Sequence, residues 1–334
     1  MSIENVLSLF DGMSGGRIAL DNLSILPKNF YSSEINKQSM AIAKKNYPDI
    51  IHLGDVTKWD TWDLPRIDLL MGGSPCQGFS KAGKLLNFDD ERSKLFFEYV
   101  NCLKHFRPKY FFLENVEMSK ECENIISSIL GVNPVHLNSS LLSAQSRPRV
   151  YWTNMVNPLL YERPKEHGIV FKDIMEHNTD PKYFMLNGDI SKTGQRAVGV
   201  KIGDRLDYYN RIDKTERMIS QNRIGQVMEA NDFMLNKFWQ TSRVFSIWGK
   251  TPCLTTTTSH NRGPFYLVDE EKFIEDNKKF RECIRTPTIL EAERLQTLPE
   301  NYTDVEGVSL TARYFAVGNG WTIKIIESFF KYLT

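Results

Sequence analysis

Val6-Leu7-Ser8-Leu9-Phe10-Asp11-Gly12-Met13-Ser14-Gly15-Gly16 is the stretch whose reading decides the fold. A short β-rich run, 6–10, stops at Asp11-Gly12. The glycines at 15 and 16 then open a segment, 17–23, with apolar residues at three- and four-residue spacing, the period of a helix. Strand, glycine turn and helix follow one another directly. Glycines there let backbone approach a ligand at the helix N-terminus. Taken alone, the same turn reads equally well as a tight strand-to-helix connection.

The pattern repeats outward from this point. Strand-like runs stand at 29–33, 67–72, 110–114 and 150–152, and helical periodicity at 37–46 and 94–106. Alternation of this kind predicts an α/β fold, a doubly wound sheet with helices on both faces. Ligands of such sheets bind at the carboxyl ends of the strands. That rule sets Asp11-Gly12, Glu34, Gly73-Ser74-Pro75-Cys76 and Glu114-Asn115 along one rim. From about 157 to 281 the alternation weakens, because Pro, Gly, Asn and charged residues interrupt every candidate element. After 288 it recovers, with a helix at 289–296, a turn at Leu298-Pro299-Glu300 and a last helix at 322–333. The division expected is therefore a catalytic and cofactor-binding domain over 1–158, completed by 286–334, and a smaller loop-rich domain over 159–285. No internal repeat or low-complexity tract interrupts it.

Composition narrows the function. The 334 residues are 41% hydrophobic and 25% charged, enough for one large core and a smaller second one. A net charge of +1 argues against a protein that coats nucleic acid by electrostatics alone. The charge is unevenly spread: residues 190–262 carry 12 Lys and Arg against 6 Asp and Glu, so a polyanion would meet that segment. Five cysteines (Cys76, Cys102, Cys122, Cys253, Cys283) are odd in number and scattered, which fits neither a disulfide framework nor a zinc site. Reduced thiols are expected. The histidines at 52, 105, 136, 167, 177 and 260 show no paired spacing, so no metal is expected. With no apolar run near the roughly 18 residues that span a bilayer and no signal-peptide layout, a soluble cytoplasmic protein without membrane partners is expected.

Two features carry chemistry before any family is considered. Glu34 ends the strand after the glycine turn, where an acidic side chain can hydrogen-bond a ribose hydroxyl. Asp55, in Gly54-Asp55-Val56, is placed to meet an adenine amino group. A nucleoside-bearing cofactor follows, its identity open. Ser74-Pro75-Cys76-Gln77-Gly78-Phe79-Ser80 places a cysteine just past a buried strand, between a rigid proline and a flexible glycine, at the rim and not in the core. The other four cysteines read as inert small hydrophobes.

Pro75-Cys76-Gln77 followed by Phe79-Ser80 resembles the nucleophile loop of the cytosine-5 DNA methyltransferases, and the family's other motifs appear in their usual order. Phe10-Asp11-Gly12 through Gly15 resembles the methionine-binding turn, and Glu114-Asn115-Val116 the acid motif. Gln145-Ser146-Arg147-Pro148-Arg149 matches Gln-x-Arg-x-Arg. Glu291 with Arg294-Leu295-Gln296 matches the structural motif before the end, and Gly318-Asn319 the last motif. The resemblance covers nearly the whole chain except about 159–236. It implies a sheet that binds S-adenosyl-L-methionine, with contacts from Phe10, Asp11, Gly12, Gly15, Glu34, Ile35, Asp55, Val56, Pro75, Leu95, Asn319 and Gly320. It also implies catalysis by Cys76 as nucleophile on carbon 6 of cytosine, Glu114 as the acid toward ring nitrogen 3, and Arg149 as a clamp on the exocyclic oxygen and Glu114. Arg147 would hold a phosphate or order its loop. The target base must leave double-stranded DNA, which gives the smaller domain its role in target recognition. Gln77, Ser80, Arg243 and Thr255 are the DNA contacts implied.

Four positions depart from the family pattern: Ser14 for a glycine, Cys253 where a Thr-Leu pair usually begins, Ile289 for a proline, and Gly320-Trp321-Thr322 after Asn319. The Phe-Asp-Gly opening and Gly-Asn-Gly-Trp ending resemble the animal de novo branch and its prokaryotic or viral relatives. Without room for histone-reading domains, a compact bacterial or phage enzyme is expected. Competing readings are a methyltransferase acting on tRNA, a catalytically silent DNA-binding relative, and a nicotinamide-dependent dehydrogenase. The last lacks its Gly-x-Gly-x-x-Gly spacing.

Overall fold

Seven strands build the main sheet: β1 (Asn5–Leu9), β2 (Asn29–Ser33), β3 (Ile51–His52), β4 (Leu69–Gly72), β5 (Tyr110–Val116), β6 (Val135–Asn138) and β7 (Pro148–Thr153), in the order β3-β2-β1-β4-β5-β7-β6. In this computed structural model, residues 3–74, 91–184, 226–229, 243–256, 258, 264–269, 272 and 280–333 are described. β3, β2, β1, β4 and β5 run parallel, while β7 pairs antiparallel with both β5 and β6. The chain winds outward in one direction from β1 to β3 and in the other from β4 to β5. The switch lies between β1 and β4, so the crevice that binds ligands in such sheets opens beyond Leu9 and Gly72. Because β7 is antiparallel, its first residues, Pro148 and Arg149, meet the carboxyl end of β5 at the same rim.

The described α-helices are α1 (Gly15–Asn22), α2 (Lys37–Asn46), α3 (Glu91–Phe106), α4 (Lys120–Leu130), α5 (Phe171–Ile174), α6 (Phe280–Cys283), α7 (Ile289–Leu295), α8 (Leu310–Asn319) and α9 (Ile323–Phe330). Their starts follow capping chemistry. Asn36 accepts from the amides of Gln38 and Ser39 at α2, and Thr288 and Glu291 form a reciprocal capping box at α7. Alternation along the strands sends side chains to two separate cores. Val6, Leu69, Met71 and Phe112 pack with residues of α1, α7, α8 and α9, while Leu7, Leu70, Leu113 and Trp152 pack with residues of α3 and α4. Both faces are covered, as the doubly wound reading predicts.

A second sheet, β8 (Gln226–Glu229), β9 (Arg243–Ser246), β10 (Phe265–Leu267) and β11 (Ile284–Arg285), runs in the order β11-β10-β9-β8. Phe171, Phe245, Ile247 and Tyr266 form a core of their own beside it. Polar ties join it and the segment after β9 to the main body. Gln145 bridges to Thr251, and the fully buried Arg285 makes a bidentate pair with Glu291 at 2.7 and 2.6 Å. Among the described residues, no helix is long and apolar enough to cross a membrane, and no cluster of three or more His, Cys, Asp or Glu is arranged to hold a metal ion.

Candidate active site

The turn after β1 is held by the carboxylate of Asp11. It accepts hydroxyl hydrogen bonds from Ser8 (2.5 Å), Ser14 (2.5 Å) and Ser32 (2.7 Å), tying β1, β2 and the start of α1 to one side chain. Burial pushes its pKa up, the three hydroxyls pull it part of the way back, and the nearby charge of Glu34 adds to the rise. Phe10, Gly12 and Ser14 all adopt positive φ here, at 55°, 58° and 64°. For Phe10 and Ser14 that conformation is strained. Asp11 is thus the scaffold of the turn as well as part of it.

Glu34 closes over the same turn. Oε2 accepts from the Gly12 amide at 2.8 Å, and Oε1 from the amides of Ile35 and Asn36 at 2.8 and 2.7 Å. A carboxylate offers about four acceptor positions, so one remains for a ligand hydroxyl. Asp55 caps the helical turn that begins at the buried Val56, accepting from the Thr57 amide at 2.9 Å. Added side-chain atoms at Gly12 or Gly54 would meet nothing within 4 Å, and Ile35 is 71% exposed beside them. Open space bordered by an apolar plate and two carboxylates fits an adenosine: a surface for the base, an acceptor for the ribose and one for an amino group. Leu95, on α3, packs against the core beneath. Asn319 is exposed at the end of α8, and Gly320 follows it, where a Cβ would lie 2.5 Å from Met13 Cε. At Gly15 the space is taken by Ile323, 3.2 Å from where a Cβ would stand, so this glycine serves helix packing.

Glu114 and Arg149 form the second centre. They are diagonal neighbours on one face of β5 and β7, since Glu114 pairs with Tyr151 and Val116 with Arg149. Arg149 Nε lies 2.9 Å from Glu114 Oε1, and each side chain is 13% exposed. Burial disfavours the Arg149 charge, but Glu114, Cys253 and Tyr151 more than offset it and leave the guanidinium more basic than usual. Arg147 behaves differently. Its guanidinium is directed wholly into protein, donating to Leu254 O (3.1 Å), Gly318 O (3.1 Å), Gly320 O (3.0 Å) and Cys253 Sγ (3.2 Å). Burial and the charge of Arg149 lower its pKa. Of the two roles open to it, Arg147 has the partners for ordering loops. Gln145, fully buried, assists by accepting from the Leu254 amide and donating to Leu295 O and Gln296 Oε1.

Cys76, with Pro75, Gln77 and Ser80, lies outside the described residues. The strand end that carries it is described. Asn115, 2% exposed, donates to both the carbonyl and the hydroxyl of Ser74 at 3.3 Å, so the acid motif holds the residue two before Cys76. Arg243 begins β9, opposite Glu229. The Thr255 carbonyl oxygen would lie 2.6 Å from a Cβ at Gly318, so the segment from Cys253 to Thr255 rests directly on the end of α8.

Sequence reasoning passed over Trp321 and Cys253. Trp321 Nε1 donates to Glu114 Oε2 at 3.3 Å. Cys253, read as an inert hydrophobe, is half-buried between two guanidiniums, 3.2 Å from Arg147 and 3.8 Å from Arg149. The departures from the family pattern at both positions were the available signal. Cys102, Cys122 and Cys283 are buried as expected, and burial with the Glu98 charge pushes the Cys102 thiol up to about 12.

A doubly wound sheet with one antiparallel strand beside its last parallel one, carrying Glu34 and Asp55 along the rim where β2 and β3 end, fits the class of S-adenosylmethionine-dependent methyltransferases. The sequence model of the C-5 cytosine-specific DNA methylases matches residues 4–334, and the chain belongs to that family. It is similar to the Type II methyltransferase M.NlaIV of Neisseria lactamica, 45% identical over 115 residues, which span 33% of this chain and 27% of that protein. Similarity to the Type II methyltransferase M1.ScrFI of Lactococcus lactis subsp. cremoris is 29% over 341 residues, covering 97% of this chain and 76% of that protein. The S. pombe Dnmt2 methyltransferase superposes with a TM-score of 0.65 at 20% identity over 99% of this chain and 98% of that one, a likeness of fold.

Proposed function

We propose that this chain transfers a methyl group from S-adenosylmethionine to carbon 5 of a cytosine flipped out of double-stranded DNA, at a specific sequence, through a covalent bond to Cys76. The observation that carries the reading is the Glu114–Arg149 pair, at 2.9 Å, on the rim beside the strand end that leads to Cys76. Carbon 5 of cytosine is a weak nucleophile, so the ring must first be activated. The Cys76 thiolate forms a bond to carbon 6, and the displaced π electrons flow toward ring nitrogen 3, where Glu114 supplies a proton. Arg149 holds Glu114 and the exocyclic oxygen. Carbon 5, now enamine-like, would be the nucleophile toward an electrophilic methyl carbon. Loss of the carbon 5 proton to a base then expels the Cys76 thiolate, ring nitrogen 3 returns its proton to Glu114, and the aromatic ring is restored.

The donor supplies an electrophilic methyl carbon, leaving as a neutral thioether. Glu34, Asp55, Ile35 and Val56 would hold its nucleoside, and the turn from Phe10 to Gly12 its amino-acid end. Residues 159–285 act as the target recognition domain, with the positive segment 190–262 on phosphates, and Gln77, Ser80, Arg243 and Thr255 near the target. We place the protein in the cytoplasm of a bacterial or phage-infected cell, on its DNA, where a Type II partner nuclease would make it half of a restriction-modification pair. The test is incorporation of labelled methyl into plasmid DNA and into bulk tRNA. Plasmid labelling that disappears in Cys76→Ala, with cofactor binding retained, is expected. Preference for tRNA, or undiminished labelling by the alanine variant, contradicts the reading.

A further inference from the structure

Trp321 sits in a slot that the sequence has cleared for it. A Cβ at Gly73 would come within 3.1 Å of its Nε1, one at Gly16 would meet Met71 at 2.5 Å and then its Cζ3 at 3.3 Å, and the ring of Phe112 meets it edge-on with centroids 5.6 Å apart. The backbone on either side is fixed. The Gly320 amide donates to Val317 O, the Thr322 hydroxyl donates to Gln296 Oε1 at 2.8 Å, and the Ile323 amide donates to Gln296 O at 3.0 Å. An indole so confined has one polar group to place, and it points at Glu114 Oε2, 3.3 Å away. The same Gly73 Cβ would stand 2.9 Å from that oxygen, so a side chain at 73 would enter the space that both groups occupy.

We infer that Trp321 is a positioning residue for the acid. With Arg149 on Oε1 and the indole N–H on Oε2, the Glu114 carboxylate is gripped from two sides, and its rotation about the last side-chain bond is blocked. A proton delivered to ring nitrogen 3 must arrive from one oxygen at one angle, which a freely turning carboxyl would offer only part of the time. Trp321 also stands against the N-terminus of α1, next to the turn that binds the donor, so its ring gives the acid and the donor's site a common wall. The inference rests on the reading of Glu114 as the acid.

The experiment uses the full-length protein labelled with nitrogen-15, in which six tryptophans each give an indole signal. The signal missing from Trp321→Phe identifies Trp321. In Glu114→Gln that proton resonance is expected to move further than any of the other five, because the carboxyl oxygen it donates to has been replaced by an amide group. No movement overturns the inference, and this readout requires no methylation. Single-turnover methylation by Trp321→Phe, which keeps an aromatic ring in the slot, is expected to fall roughly three- to tenfold, the loss of one hydrogen bond to the acid, with unchanged cofactor affinity. A benzothienylalanine at 321, which removes only the N–H, gives the same result without disturbing the packing. An unchanged rate in that isostere also overturns the inference. A wild-type protein that fails to methylate DNA would refute the proposed function, while the indole resonance would still decide whether the contact exists.

Discussion

Asp11 and Glu114 stand at the ends of two strands of one sheet, and their surroundings differ in kind. Asp11 is surrounded by three serine hydroxyls, neutral donors that share out its charge among β1, β2 and α1. Glu114 faces a guanidinium and an indole N–H, and its partners come from β7 and from the link between α8 and α9. A carboxylate satisfied by local hydroxyls builds a turn. The proposed acid instead meets distant, oriented donors at the rim of the sheet. The contrast distinguishes the carboxylate that holds the turn from the one proposed to act on the base, which residue type alone does not.

The largest effect expected from breaking this contrast is on rate. Glu114→Gln keeps the shape and removes the proton, so turnover should fall about 10²-fold or more while cofactor affinity stays within about twofold. Steady-state kinetics with equilibrium binding of the donor checks it. Arg147→Met should act on stability instead, because it strands the carbonyls of Leu254, Gly318 and Gly320 without their shared donor. A loss of about 2–4 kcal/mol in urea unfolding is expected, larger than for Arg149→Met at the more open rim. Glu34→Gln should weaken donor binding roughly tenfold, about 1.4 kcal/mol, with little effect on turnover at saturation, as measured by calorimetry.

The smallest expected effect sharpens the scaffold half. Burial raises the pKa of Asp11 above that of an unfolded carboxylate, so the folded state holds the proton more tightly. The resulting stabilisation is complete below the ordinary carboxylate pKa of 3.8 and is lost as pH rises from there through the raised value. Asp11→Asn removes this dependence. The stability of the wild type relative to the asparagine variant should therefore decline across mildly acidic pH, as followed by denaturant titrations at several pH values.

Most of the main sheet was legible because its strands are buried on both faces and read as short apolar runs. β1, β2, β4, β5 and β7 appear at or within a few residues of the positions their sequence suggests. β3 escaped because it is two residues long, with Ile51 exposed at the sheet edge. β6 escaped because Val135-His136-Leu137-Asn138 offers only two apolar positions. α4 carries a readable signal in the Ser119 cap, apolar positions 122, 126 and 130, and the closing Gly131 at φ 72°. Near the site, side-chain identities gave the rim but not its wiring. That Arg147 points inward, that Gly15 makes room for Ile323 and that Trp321 reaches Glu114 all depend on contacts across more than 150 residues of chain, which no local pattern encodes.

The most direct test of the account replaces the target cytosine in a duplex with 5-fluorocytosine. Fluorine at carbon 5 cannot leave as the proton does, so a ring that has taken the thiolate at carbon 6 and the methyl at carbon 5 stays bound. Peptide mapping by mass spectrometry should then find the nucleotide on Cys76 in the wild type, and far less of it in Glu114→Gln. An adduct on another residue, or none from a protein that methylates ordinary DNA, would contradict the account.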